Sequence, residues 1–290
     1  MKYYLRNNTL FIRGLFRAAS TGPLGGIGEV PTLLLCSVRE ISGLTDEQVI
    51  ENRVYAEGLS RECFGLVTET TIENLCILQY DFISVFILER TTESGRASGT
   101  VHIIIYSGEG LSDAALLSAI ITGTEAKSET LLKAGRGSSG SAGDMMIIAS
   151  EGTVAHHGAD PGTDVGKRIG ECIRFGMSRA SGETRPGNRP ALYVFSRFGE
   201  GHFAEWTPEH CPYYPCHFEG QRCDYCYCPF YPCGDEELGQ YVEGSNGRRV
   251  WNCSRCVLLH KPEIADYLRR NPEASLKEIK KLDKSPKTKL

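Results

Sequence analysis

No stretch of this 290-residue chain stays apolar long enough to cross a bilayer. The most apolar one, "LCILQYDFISVFIL", is broken by Gln79 and Asp81 and falls short of the roughly 20 apolar residues that a spanning helix needs. The opening "MKYYLRNNTLFIRGLFRAAS" lacks the continuous apolar core of a secretion signal, because Arg13 and Arg17 interrupt it. Positive charge is not in excess either. Lys and Arg number 32 against 36 Asp and Glu, a formal net charge of -4, so no global field draws the chain to nucleic acid or acidic lipid. These absences predict a cytoplasmic protein with neither a membrane nor a nucleic-acid partner; oligomeric state is left open. A P-loop is missing, as is the third glycine of a dinucleotide fingerprint, and no internal repeat is visible. With 41% hydrophobic and 23% charged residues, a disordered or fibrous class is excluded.

Cysteine, by contrast, is abundant: there are 12. Cys36, Cys63, Cys76 and Cys172 are scattered through apolar or periodic sequence, where a thiol acts as a small core residue. The other eight fall between residues 211 and 256. Their spacing is ligand-like: Cys211 with Cys216 and His217, Cys223 with Cys226 and Cys228, Cys228 with Cys233, and Cys253 with Cys256 followed by His260. Tight turns aim such thiolates at one ion, and two turns complete a tetrahedron. A reducing cytoplasm disfavours disulfides, and the mix of Cys and His without iron–sulfur spacing favours zinc. Ten candidate ligands exceed the four of one ion, so two zinc ions are expected, with their ligands not yet divided between them. Buried or oxidised thiols without metal are the alternative.

Along the chain, strand-like runs recur at "TLFIRG", "PTLLLCSV", "FGLVTETT", "FISVFIL", "TVHIIIYS" and "DMMIIAS". Three helical patterns lie among them. "TDEQVIENRVYAEGL" opens with a cap at Thr45, and Val49, Ile50 and Val54 share a face. "SDAALLSAIITGTEAKSETLLKAG" has a cap at Ser112, an apolar stripe of Leu117, Ile120, Ile121 and Leu131, and a stop at Gly135. "TDVGKRIGECIRFGM" aligns Val165, Ile169, Cys172 and Ile173. Strands mixed with helices predict a layered α/β domain, a mixed sheet with helices, over residues 1–199. A small cysteine-rich, zinc-binding module then occupies 200–262, and a basic tail, fraying at "DKSPKTKL", occupies 263–290.

Three features of the first domain suggest chemistry. The Gly-rich "AASTGPLGGIGEV" would let backbone N–H groups at Gly22, Gly25 and Gly26 approach an oxyanion, with hydroxyls from Ser20 and Thr21. In "GTEAK", helical spacing sets Glu125 and Lys127 on opposite margins of the apolar stripe, so both are expected to be half-buried; a surface pair is the plainer alternative. His102 sits in a strand, Asp144 opens another after "GRGSSGSAG", and His156 and His157 follow a strand end. Together they form a candidate hydrolytic constellation.

The runs "FIRGLFRAASTGPLGG", "GLVTETTIENLCILQYDFISVFI", "GTVHIIIYSGEGLSDAALLSAIITGTEAKSETL" and "MMIIASEGTVAHHGADPGTDVG" resemble the adenosylcobinamide amidohydrolase family of archaeal corrinoid salvage. The module "CPYYPCHFEGQRCDYCYCPFYPC" with "WNCSRC" is similar to a small cysteine-rich domain found alongside corrinoid enzymes. The first resemblance implies a corrinoid substrate and hydrolysis of the amide joining aminopropanol to a propionate side chain of the corrin, releasing adenosylcobyric acid. Such a reaction needs an activated water, a stabilised oxyanion and a proton for the departing amine. Glu125 is the expected base, His102 or Lys127 the proton donor, and the Ser20 to Gly26 loop the oxyanion cradle, with Asp144, His156 and His157 lining the substrate. The competing classes are a non-catalytic corrinoid- or metal-binding protein that retains the fold, and a zinc-ribbon nucleic-acid binder, which the acidic balance disfavours.

Overall fold

The structure is a computed structural model that describes residues 1–38, 43–91, 98–136, 138–180, 190–196, 201–206, 214–226, 228–243, 249–271 and 274–283. It divides into a first unit running to Trp206 and a second from Thr207 to Leu290.

The first unit is built on a ten-stranded mixed sheet. Its elements are β1 (Lys2–Arg6), β2 (Thr9–Ser20), β3 (Gly26–Ser37), α1 (Asp46–Ala56), β4 (Cys63–Thr68), β5 (Cys76–Tyr80), β6 (Ile83–Thr91), β7 (Ser98–Ser107), β8 (Gly110–Leu111), α2 (Asp113–Lys133), β9 (Met145–Ser150), β10 (Val154–His156), α3 (Asp164–Ala180), β11 (Ala191–Ser196) and β12 (His202–Trp206). The sheet order is β12-β11-β5-β6-β7-β9-β2-β3-β4, with β1 paired to β2, while β8 and β10 pair separately. Because β12 pairs with β11, the first unit extends past residue 199 to Trp206. The apolar run at 75–88 forms two strands: Asp81, at φ 51°, turns β5 back into β6, with Tyr80 opposite Ile83.

Both faces of the sheet are buried, by different means. On one face, α2 and α3 cover Val85, Ile87, Ile103, Ile105 and Ile148. The other face, with Leu33, Leu66, Phe86, Ile104 and Ile147, is covered by the sheet itself. β9 and β4 are three strands apart, about 14 Å in a flat sheet at the usual strand spacing. Yet a Cβ on Gly22 would stand 2.7 Å from Gly65 O and Leu66 Cδ2 of β4 and 3.5 Å from Met145 Sδ of β9, so the sheet curls over to enclose this face. α1 packs Val49, Ile50 and Val54 outside the β3–β4 edge.

The helix ends follow the expected caps. Thr45 and Gln48 form a capping box on α1, Ser112 accepts from Ala115 N at 3.2 Å, and Gly135 follows α2 at φ 69°. Val165, Ile169, Cys172 and Ile173 of α3 are all fully buried. The face of α2 differs from expectation. Of the expected stripe, Leu131 is buried and Ile120 packs against the core, but Leu117 and Ile121 are 49% and 59% exposed, and the rest of the buried face is Ala115, Leu116, Ala119, Thr122, Gly123, Ala126 and Lys127. Small residues let the helix lie close to the sheet: a Cβ on Gly123 would stand 2.8 Å from Met146 Sδ.

The second unit carries β13 (Gln240–Glu243) paired with β14 (Arg249–Asn252), then α4 (Pro262–Arg270) and α5 (Leu276–Leu282). Ile264, Leu268 and Ile279 from these helices share one core with Leu258 and Leu259, against which Cys228 and Cys256 pack. The segment expected to be a separate tail is therefore part of the cysteine-rich fold, while 284–290, where fraying was expected, lie outside the described residues. No helix among the described residues is long and apolar enough to cross a membrane.

The close packing ahead of α3 gives a discriminating test. Gly→Ala within a helix ordinarily stabilises by about 1 kcal/mol. At Gly166 the new Cβ would meet the Asp160 carbonyl oxygen at 1.9 Å. Gly166→Ala should instead lower stability by about 1–3 kcal/mol, read as an earlier urea midpoint with an unchanged slope.

Candidate functional site

Strand register gathers one end of the sheet. β7 and β9 run parallel with His102 opposite Met145, and β2 runs antiparallel to β9 with Ser20 opposite Ile147. The starts of β7 and β9 and the end of β2 therefore meet. The loop leaving β2 is fastened there: Thr21 N donates to Met146 O and Met146 N donates to Thr21 Oγ1, each at 2.9 Å. The loop is tight enough to demand glycine. A Cβ on Gly25 would stand 2.5 Å from the Ser20 and Gly22 carbonyl oxygens, and one on Gly22 would stand 2.7 Å from Gly65 O. Gly26 has φ 132°.

That tightness also weighs against an oxyanion cradle. The N–H groups of Thr21, Gly22 and Gly25 donate to Met146 O, Ser20 Oγ and Gly22 O, so they are engaged inside the protein. Ser20 itself is buried, whereas Thr21 is exposed.

On the α2 side of the same end, Lys127 reaches from the buried helix face and its Nζ donates to Asp144 Oδ2. Asp144 Oδ1 accepts from Val101 N at 2.9 Å, and Oδ2 also accepts from Ser141 N at 3.0 Å. The carboxylate thus ties helix, strand and turn together. The two side chains are only 8% and 11% exposed, which is a costly place for a pair of charges. Nearby, Arg136 Nη1 donates to Glu89 Oε1, another buried pair, which nothing in the sequence pattern had linked. Glu89 lies opposite Val101, so both pairs attach the end of α2 to neighbouring strands.

Glu125 is not where it was expected. Two residues from Lys127 correspond to about 200° around a helix, so burial of Lys127 turns Glu125 outward, and it is exposed. The prediction of half-burial failed because Leu117 and Ile121, taken to mark the buried face, face solvent. His156 and His157 are also elsewhere. β10 pairs with β8 beyond the far ends of β7 and β9, roughly 20 Å along the strand from Asp144. His156 Nε2 contacts Glu109 Oε2 at 2.6 Å and stacks on Phe82, and His157 is exposed.

His102 is 2% exposed and, by strand alternation, faces the enclosed core with Ile104 and Tyr106, on the opposite face from Lys127. Neither ring nitrogen has a hydrogen bond of ordinary geometry. Burial depresses its pKa to about 4, against the weaker opposing effects of the Asp144 charge and the Val67 backbone. At neutral pH it is a neutral imidazole and not a cationic acid.

None of the eleven described cysteines forms a disulfide; seven of them belong to the second unit, and Cys211 lies outside the described residues. Cys216, His217, Cys226, Cys228, Cys233, Cys253, Cys256 and His260 line one cavity of about 210 Å³. Cys223 is buried beside it, joined to Cys216 through Gln221. Burial raises the Cys228 thiol to about 11, helped by neighbouring Cys256, Cys253 and Cys233. Among the described residues, no three His, Cys, Asp or Glu side chains already stand in a metal-binding arrangement.

The His102 environment makes stability pH-dependent. Its folded pKa lies below the unfolded value of 6.5, so its contribution is intact above that value and is lost as pH falls towards about 4. The loss should reach on the order of 3 kcal/mol across that window. Urea unfolding between pH 7 and pH 4.5 should show a shallower pH slope in His102→Asn than in the parent; equal slopes would remove the depressed pKa.

Comparison with known proteins bears on this unit first. The pattern of the adenosylcobinamide amidohydrolase family matches residues 13–186, and that of the cysteine-rich small domain matches 202–283. An adenosylcobinamide amidohydrolase of Methanosarcina mazei is 32% identical over 192 residues, 61% of this chain and 96% of that protein. The second unit resembles an uncharacterised protein of Methanocaldococcus jannaschii, 47% identical over 60 residues, covering 21% of this chain and 50% of the relative. It also resembles a probable cobalt-factor III C(17)-methyltransferase of Methanothermobacter thermautotrophicus, 44% identical over 74 residues, 23% of this chain and 19% of that protein. No solved structure matches the chain significantly. The family match takes in the strands from β3 to β9, the Ser20 loop and the Lys127–Asp144 pair, and the chain belongs to the adenosylcobinamide amidohydrolase family.

Proposed function

We propose that the strand ends around Ser20, His102, Lys127 and Asp144 carry the reaction of the family: hydrolysis of the amide between aminopropanol and the corrin propionate of adenosylcobinamide, giving adenosylcobyric acid. The single observation that carries the placement is the buried Lys127–Asp144 pair at the end where the Gly-rich loop is fastened. Charge is kept there against its desolvation cost.

Water must add to the amide carbonyl, and the carbon–nitrogen bond must break as the amine takes up a proton. The Lys127 ammonium, held by Asp144, suits stabilisation of the developing oxyanion and supply of that proton. His102, neutral and without a well-formed hydrogen bond, suits an acceptor that orients water or the amide N–H from the enclosed face. Ser20, whose Oγ accepts from Gly22 N at 3.1 Å, keeps its hydroxyl proton available to the substrate. Exposed Glu125 has no part in this arrangement. The corrinoid is the substrate; we further propose that the cysteine-rich unit holds zinc as a structural ion.

Aminopropanol release from adenosylcobinamide tests the assignment. Lys127→Met should reduce kcat by about 10²-fold or more. Since it strands Asp144 in a buried site, the Lys127→Met/Asp144→Asn double variant controls for folding: its one amide oxygen still accepts from one of the Val101 and Ser141 N–H groups, so it should regain part of the lost stability but not turnover. Glu125→Gln should stay within a few-fold of the parent. Full activity in a folded Lys127 variant, or its loss in Glu125→Gln, would return the chemistry to the outer helix face.

A further inference from the structure

We infer that the cysteine-rich unit holds two separate metal ions, one on Cys228, Cys233, Cys253 and Cys256 and one on four ligands drawn from Cys216, Cys223, Cys226, His217 and His260, and that Gln221 positions the mixed site. This rests on the zinc reading above and adds to it the division of ligands and an outer residue.

Backbone turns prepare both sets. Cys256 N donates to Cys253 O at 2.9 Å, closing the turn between those two thiols, and Tyr231 N donates to Cys228 O at 3.1 Å, closing the turn that leads from Cys228 towards Cys233. Pairing of β13 with β14 ends at Asn252, immediately before Cys253. In the other set, Cys226 N donates to Cys223 O at 3.2 Å, closing the turn between those two thiols.

Gln221 identifies the mixed set. It is 5% exposed, and its Nε2 donates to Cys216 Sγ and to Cys223 Sγ, each at 3.2 Å. Its Oε1 accepts from His217 N at 2.8 Å and Phe218 N at 3.2 Å. One buried amide therefore joins two sulfurs and the backbone of a histidine. An N–H aimed at two sulfurs favours their thiolate form, which is the form that binds metal.

His260 shows the same preparation. Its Nδ1 lies 2.7 Å from the Arg222 carbonyl oxygen, which only accepts, so Nδ1 carries the proton and Nε2 keeps its lone pair. Arg222 N donates back to His260 O at 2.8 Å, and the His217 and His260 rings are 4.5 Å apart. A backbone carbonyl fixing the tautomer of an imidazole is the usual partner of a ligating histidine. The described side chains are not yet in coordination distance of a common centre, as expected where the ion itself draws the ligands in.

The test uses the full chain, metal content and cobalt(II) substitution. The parent should hold two zinc ions per chain. Gln221→Glu keeps the acceptor for the His217 and Phe218 N–H groups but turns an anion on two sulfurs. It should release one zinc to a chelator about 10–100-fold more readily while the other is unchanged. Cobalt(II) should retain the four-thiolate spectrum in Gln221→Glu and lose it in Cys228→His, which remains able to bind metal. No metal in the parent would overturn the zinc reading itself. Two ions with unchanged release from Gln221→Glu, or with both spectra altered by Cys228→His, would leave zinc standing and overturn the division.

Discussion

One ion pair links the helix layer of the first unit to the end of its sheet. Lys127 comes from the buried face of α2, and Asp144 joins it to the Val101 amide of β7 and the Ser141 amide of the turn before β9. Helix, strand and the turn that carries Asp144 are set by one carboxylate. Removing either charge leaves the other buried without its partner, at about 3–5 kcal/mol. The small-residue stripe of α2 follows from the same constraint. A helix held off by leucine side chains would carry Lys127 away from Asp144, whereas Gly123 and Ala126 let the backbone come close.

That constraint explains what the sequence made legible. Elements buried by large aliphatic residues, such as α3 and the central strands, have a periodicity that hydrophobicity reveals. Capping chemistry is equally local, and Thr45 and Ser112 stand where it places them. α2 inverted the rule. Between Leu116 and Leu131 its buried face is alanine, glycine, threonine and a paired lysine, while Leu117 and Ile121 face outward. A helix oriented by Leu117 and Ile121 would carry Glu125 inward. The Glu89–Arg136 pair and the approach of Val67 to His102 arise from sheet order and curling, which no local spacing encodes.

The second unit depends on a different balance. Its aliphatic core is a handful of residues from α4, α5 and the Leu258–Leu259 segment, little for a unit of this length. Cysteine spacing announced the need for another source of stability but not its arrangement. Gln221 is invisible to ligand spacing, because an amide is not a ligand; only its contacts to two sulfurs single it out.

Within the first unit, the distribution of costly groups separates the two ends of the sheet. At the far end, the polar pairs of His156 with Glu109 and of Tyr106 with Glu151 each include a carboxylate at least a quarter exposed, so water shares their solvation. At the near end, two salt bridges, Lys127 with Asp144 and Arg136 with Glu89, and the His102 imidazole are withdrawn from water. An apolar core of the same shape would be at least as stable. The buried imidazole of His102 on one face and the paired Lys127 on the other, at adjoining strand starts, are the groups on which the proposed hydrolysis would draw.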